Sequence, residues 1–249
     1  MTSPITPATT SGTINLAVPE SALAIGAHPD DIEFGAGGTL AKWAAAGCRI
    51  TMVIVTDGSK GSWDPNQDQN ELIATRSAEL QAAADALGAA STVQLGYVDG
   101  ELEYSMELRG RICREVRVHQ PEVVLSHDPW MRYQLHPDHR ATGFAATDGV
   151  VAARDHLFFP EQDLPPHRPS AILLWRADED NHWEDIAGHS NTKVEALLCH
   201  SSQGTTTMGG DVTDVEHAEV FAQRMREWAE RAGRDVGLDQ AEAFHRLTP

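Results

Sequence analysis

Short apolar runs alternate with longer helical stretches from the start of this chain through Trp175, and that order leaves few architectures open. The runs, rich in Val, Ile or Leu, fall at residues 22–26, 49–56, 92–95, 122–126 and 171–175. Between them, helical periodicity appears near 36–46, 71–87, 106–119 and 137–154. Strands this short and apolar on both faces must be covered on both sides, and crossover helices between them give a mostly parallel sheet. Gly47 and Gly88 stand where helix C-caps belong. The expectation is an α/β fold, a Rossmann-like sheet with helices on both faces.

Past the fourth helical stretch the pattern loosens. Residues 158–169 (FFPEQDLPPHRP) read as a proline-rich loop, 189–200 (HSNTKVEALLCH) as a short helix, and 214–232 as a longer amphipathic one. No internal repeat or low-complexity block occurs. Residues 21–249 therefore read as a single domain with an elaborated C-terminal part, and 1–20 as a flexible N-terminal tail. The role of 204–249 is open between a wall of the substrate mouth and a homo-oligomer contact.

Charge narrows the partners. The 249 residues hold 37 Asp plus Glu against 19 Lys plus Arg, a formal net charge of −18 with His neutral. No Lys/Arg stripe reverses that sign locally, so phosphate backbones and anionic lipid surfaces find no general attraction here. Neither nucleic-acid binding nor stable membrane association is expected. The apolar runs are also shorter than the roughly 20 residues a membrane-spanning helix needs. The first twenty residues lack a basic start followed by an apolar run. Cys48, Cys113 and Cys199 are far apart and form no CxxC, which fits a reducing compartment. The expected location is cytoplasmic.

Chemistry concentrates at two strand ends. The first strand runs into His28-Pro29-Asp30-Asp31, then Gly35-Ala36-Gly37-Gly38 at what reads as a helix opening. The fourth ends in Ser126-His127-Asp128-Pro129, followed by His136-Pro137-Asp138-His139 at the next helix start. In an open α/β sheet the crevice beyond the strand C-termini is the ligand site. Neutral imidazole and carboxylate suit a catalytic Zn²⁺ that keeps one position open for water, and His28, Asp31 and His139 supply such a set. The same ligands accept Fe²⁺, Co²⁺ or Mn²⁺. Asp30, His136 and Asp138 remain over. A carboxylate beside the water can serve as general base, and a second His can stabilise an oxyanion if another carboxylate orients it. The inventory is that of a metal-assisted hydrolase.

The glycine turn has a rival reading as a phosphate cradle at a helix N-terminus. Residues 35–38 do not spell GxGxxG and no P-loop Lys-Ser/Thr follows, so the glycines read as close helix-to-strand packing. His127 and Asp128 divide between a site role and backbone capping before Pro129. Trp63 and Trp130 divide between sugar stacking and packing, and His200 and Gln203 between a site-facing role and a core or cap role. His156, His167, His182, His189, His217 and His245 read as surface or loop residues.

These residues resemble the PIG-L/LmbE-like N-deacetylases. HPDDIEFGAGGTLAKWAAAG, VTDGSKG after the second strand, RSAELQAAADALG, LGYVDGEL, HDPWMRYQLHPDHRATG and KVEALLCHSSQ are similar to family segments in the same order, over roughly residues 22–203. The resemblance implies a Rossmann-like fold and zinc held by His28, Asp31 and His139. It further implies Asp30 as general base, His136 as oxyanion stabiliser, Asp138 as the group orienting His136, and Arg76 and Asp99 as substrate contacts. The mycothiol-pathway members place a Tyr two residues before the HPDH His; here that position is Gln134, beside Tyr133.

The activity so implied is removal of an acetyl or other acyl group from the amino nitrogen of a glucosamine-type small molecule. Amidase action on a larger amide, such as a thiol-sugar conjugate or acylated natural product, shares the same metal site. A noncatalytic metal or sugar binding module would have no use for Asp30 or the His136/Asp138 pair. A nicotinamide oxidoreductase would need a dinucleotide fingerprint that is absent.

Overall fold

The computed structural model describes residues 12–249. Among these, eight strands form one sheet: β1 (Thr13–Ile14), β2 (Ser21–Gly26), β3 (Arg49–Thr56), β4 (Ser91–Tyr97), β5 (Val123–His127), β6 (Ala171–Trp175), β7 (His182–Asp185) and β8 (Ala241–Leu247). The α-helices are α1 (Asp31–Ala45), α2 (Gln69–Leu87), α3 (Met106–His119), α4 (Pro137–Ala153), α5 (Ser190–Leu198) and α6 (Val215–Arg234). Strand order is β1-β7-β8-β6-β5-β2-β3-β4, and every pairing is parallel except those of β8, which runs antiparallel to both neighbours.

The side-chain alternation of the strands divides the core into two layers. Ala22 and Ala24 of β2 join Leu40 of α1, Leu80 of α2 and Ala196 of α5 on one face. Leu23 and Ile25 join Leu108 and Ile112 of α3 and Ala145 and Val150 of α4 on the other. Helices thus cover both faces, as the buried apolar strands require. A smaller cluster, built on Leu197, Phe221 and Met225, packs α6 onto α5. Helix ends follow their local chemistry. The Asp68 carboxylate accepts from Asn70 N and Glu71 N at the start of α2, and Gly88 takes the left-handed conformation at its end with φ of 76°.

All five strands expected from the sequence occur, but β1, β7 and β8 were not expected. The reason is chemical. His182 and Glu184 of β7 and Glu242 of β8 are buried polar residues, so neither strand shows a clean apolar run. His182, expected at the surface, is buried with Nε2 2.9 Å from Glu184 Oε1. Glu184 also pairs with Lys42 of α1.

Two further expectations change. Of the tail expected over 1–20, residues 1–11 lie outside the described residues, but Thr13 and Ile14 pair with β7 and Leu16 N donates to Glu184 at 2.8 Å. The glycines at 35, 37 and 38 do not open a helix; they lie inside α1, which begins at Asp31. A Cβ at Gly35 would stand 2.4 Å from the Trp175 ring of β6, and one at Gly38 2.7 Å from Ile186. That closeness lets Glu242 accept from Gly38 N and Thr39 N at 2.9 and 2.8 Å.

Candidate metal centre and active-site cleft

Strand β2 lies between β3 and β5, so the chain winds outward in one direction from β2 and then returns to build the other side. Ligands bind outside the C-terminal strand ends at such a switch point. Both motifs arrive there. Chain leaving β2 carries His28, Asp30 and Asp31, β5 ends at His127, and His136 stands at the N-cap of α4 with Asp138 and His139 in its first turn. Thr56 holds the loop after β2, donating from its amide and its hydroxyl to Ala27 O, both at 2.8 Å.

Asp31 is the hub. Its Oδ2 accepts from the His28 amide at 2.7 Å and lies 3.2 Å from His28 Nδ1 and 3.3 Å from His127 Nε2. Its Oδ1 is 3.2 Å from His139 Nε2. The expected ligands His28, Asp31 and His139 are therefore side by side. His136 stacks on His139 with centroids 4.7 Å apart and meets His28 edge-on at 4.5 Å. Donor atoms of His28, His136 and His139 also lie within 4.8 Å of one another, as do those of Asp31, His127 and His139.

His127 is the residue whose place only the fold reveals. It is buried, stacked on His139 at 4.3 Å, and its Nδ1 accepts from Trp175 Nε1 at 3.1 Å. Its Nε2 lies 3.3 Å from both Asp31 Oδ2 and the Ala27 amide nitrogen, so the neutral ring bridges β6, Asp31 and the loop after β2. Burial favours that neutral form, pushing the His127 pKa down to about 4. Neighbouring Asp128 has a different role, accepting from Trp130 N at 2.9 Å as a backbone cap.

Asp138 departs from expectation. Its Oδ2 accepts from Gly100 N at 2.7 Å and is 3.3 Å from His28 Nε2, so it supports His28 rather than orienting His136. Asp99 joins it, with Oδ1 3.1 Å from the same nitrogen and Oδ2 accepting from Lys60 N at 3.1 Å. Burial opposes charge on His28, yet the hydrogen bonds to Asp138, Asp31 and Asp99 hold its pKa well above the usual value. Arg76 is buried and donates to Gly58 O at 3.0 Å and Pro29 O at 2.6 Å, standing 3.8 Å from Asp30 and 4.0 Å from Asp99.

Asp30 adopts φ of 116°, a left-handed conformation that costs a non-glycine residue and persists where surrounding structure enforces it. Its Oδ2 is buried without a hydrogen-bond partner. Burial raises its pKa to about 6, against the pull of Arg76.

The donor set fits a divalent cation. Asp30, Asp31, Asp99 and Asp138 converge around His28 and Arg76, a surplus of buried carboxylates that a divalent cation would balance. Imidazole and carboxylate donors within reach of one point match the ligands of zinc-type sites. His28, Asp31 and His139 would hold the ion.

A cavity of about 860 Å³ opens over these residues. It is lined by Asp30, Arg76, Asp99 and His136, and also by Trp63, Gln203 and the threonines of a π-helical turn at Gly204–Met208. Gln203 is site-facing, whereas His200 is buried beneath, bonded to Glu33 at 3.1 Å. Trp63 is 76% exposed on the cavity wall; Trp130 packs edge-on to Phe144 and Tyr133 is 86% exposed, both apart from the cavity lining. Residues 204–249 thus contribute one wall through α6, with Trp228 and Arg231.

The chain is 34% identical over 184 residues to the diacetylchitobiose deacetylase of Thermococcus kodakarensis, covering 73% of this chain and 69% of that protein. It is 30% identical over 219 residues to a probable N-acetyl-α-D-glucosaminyl L-malate deacetylase 2 of Bacillus anthracis, covering 82% and 89%. The fold superposes on the N,N'-diacetylchitobiose deacetylase of Pyrococcus horikoshii with a TM-score of 0.83 and 32% identity, over 92% of this chain and 84% of that one. Residues 23–150, which include every expected ligand, match the model of GlcNAc-PI de-N-acetylases, and the chain belongs to this PIG-L family.

Proposed function

We propose that the protein is a metal-dependent N-deacetylase that releases acetate from the 2-acetamido group of an N-acetylglucosamine derivative. The observation that carries this reading is the convergence of His28, Asp31 and His139 in the lining of a cleft that also includes Asp30, whose buried Oδ2 has no hydrogen-bond partner. The deacetylase names of the relatives support it. A bound Zn²⁺, or an Fe²⁺, Co²⁺ or Mn²⁺ ion in its place, would supply Lewis acidity and a water acidified toward neutral pH.

The chain's own residues do the rest. Asp30 Oδ2 takes the proton of the attacking water and returns one to the departing nitrogen. The water oxygen joins the acyl carbon, the C–N bond breaks, and acetate and a free amine leave. His136, free of any side-chain bond at Nδ1, faces the cleft and steadies the oxyanion. Arg76 holds Asp30 and Asp99 in place from behind and shares the cleft wall with Asp99, where both can meet sugar hydroxyls.

Three free thiols support a reducing, cytoplasmic location, and no described helix is long and apolar enough to cross a membrane. The test pairs metal analysis of the purified protein with release of primary amine from N-acetylglucosamine derivatives. One metal per chain with stoichiometric acetate and amine is the expected result; metal without amine from any acetamido sugar would redirect the reading to a larger amide.

A further inference from the structure

The cleft is larger than one sugar requires. Its volume of about 860 Å³ sits near the upper end of pockets that enclose whole drug-sized ligands, roughly 300–1,000 Å³. Besides the catalytic groups, its lining includes residues beyond the stretch 23–150 that matches the family. Among these, Trp228 of α6, 51% exposed, offers an apolar face, and Arg231 of α6 and Arg176 after β6 offer charge. A second depression of about 220 Å³ extends past Trp228 and Arg176 along β8.

The two arginines differ from the other Lys and Arg side chains of the cleft lining. On α6 itself, Arg226 bonds Glu219 at 3.1 Å and Arg224 donates to Met208 O at 2.7 Å. At the cleft, Lys60 pairs with Glu101 at 2.7 Å and Arg76 is engaged by backbone carbonyls. Among the described residues, neither the Arg176 nor the Arg231 side chain has an ion-pair or hydrogen-bond partner, and both line the cavity. Arg176 is also held at φ of 59°, a conformation that a non-glycine residue adopts only when enforced.

From this geometry we infer that the site is built for an N-acetylglucosaminide whose second unit has a flat apolar face and carries an oxyanion. That unit lies against Trp228, and Arg176 and Arg231 receive the oxyanion through the planar fork that suits carboxylate and phosphate alike. The inference rests on the deacetylase reading and adds the class of aglycone. It makes Trp228, Arg176 and Arg231 specificity-determining residues.

The test uses the metal-loaded protein and four probes: phenyl, 4-carboxyphenyl and 4-phosphophenyl N-acetylglucosaminides, in both anomers, and N,N'-diacetylchitobiose. The readout is kcat/KM for amine release. The expected result is a preference of about tenfold or more for one charged aryl glycoside over the neutral one, and the better anion identifies carboxylate or phosphate as the ligand. Arg176→Ala and Arg231→Ala should each collapse that preference through KM, and Trp228→Ala should weaken both aryl classes relative to the disaccharide. A loss of fold would lower all probes alike, so the ratio isolates recognition. Equal kcat/KM for charged and neutral probes, or preference for the disaccharide, overturns the inference and leaves the deacetylase reading standing. Absence of amine from all four overturns both.

Discussion

Trp175 Nε1 donates to His127 Nδ1 at 3.1 Å, and this hydrogen bond helps hold the ring with Nε2 3.3 Å from Asp31. The ligand carboxylate is oriented from a residue two contacts away, through a buried ring. Outer partners of this kind set ligand orientation and tune affinity. Trp175→Phe removes the donor while keeping an aromatic ring. Metal affinity, read by chelator competition, should fall by about tenfold or more; unchanged affinity would show that Trp175 only fills space.

The ligand assignment predicts separable defects. His28→Ala, Asp31→Ala and His139→Ala should lose metal and turnover together. Asp30→Ala and His136→Ala should retain metal and lose turnover, by about 10²-fold or more, as expected for a general base and an oxyanion donor. Elemental analysis beside amine release reads both quantities. Loss of metal from His136→Ala would transfer the ligand role to the His28, His136 and His139 group.

Gly143, one helical turn after His139 on α4, lets that helix approach the end of β5. A Cβ there would stand 2.6 Å from His127 O and 3.0 Å from Pro129 N, both backbone atoms that cannot rotate away. Gly143→Ala should cost about 1–3 kcal/mol of stability in denaturant melts. Metal affinity should fall with it, because α4 carries His139 away from Asp31.

Glu184 gives a pH signature distant from the cleft. Burial raises its pKa, but His182, Lys42 and the Leu16 amide together hold it below the ordinary glutamate value. The stabilisation is therefore complete above the unfolded pKa of about 4.3 and is lost as pH falls through the lower folded value. Glu184→Gln should remove the charge partner of Lys42, which keeps Asn15 and the Asp185 carbonyl as acceptors, costing about 1–3 kcal/mol at neutral pH, and should flatten the acid limb of the stability curve. Thermal melts from pH 7 to pH 3 measure both effects, and a mutant curve parallel to the wild type would contradict the assignment.

Much of the fold was legible because its central strands are apolar on both faces and their helices carry clear periodicity. The outer sheet was not. β7 and β8 bury His182, Glu184 and Glu242 in ion pairs and backbone bonds, and a polar residue satisfied by a distant partner looks like a surface residue until the partner is known. The same cause explains Asp138, whose partners Gly100 and His28 lie far from it in sequence.

By itself, then, the sequence determined the α/β alternation, the placement of HPDD and HPDH beyond two strand ends, and the identity of the groups able to bind a cation. These are local properties, carried by residue type and spacing. Only the tertiary structure decided which nitrogen of His127 meets Asp31, that Asp138 supports His28 rather than His136, and that α6 brings Trp228 and Arg231 over the cleft. Those relationships join residues separated by tens to hundreds of positions, and directional contacts between them exist only once the sheet and its helices have packed.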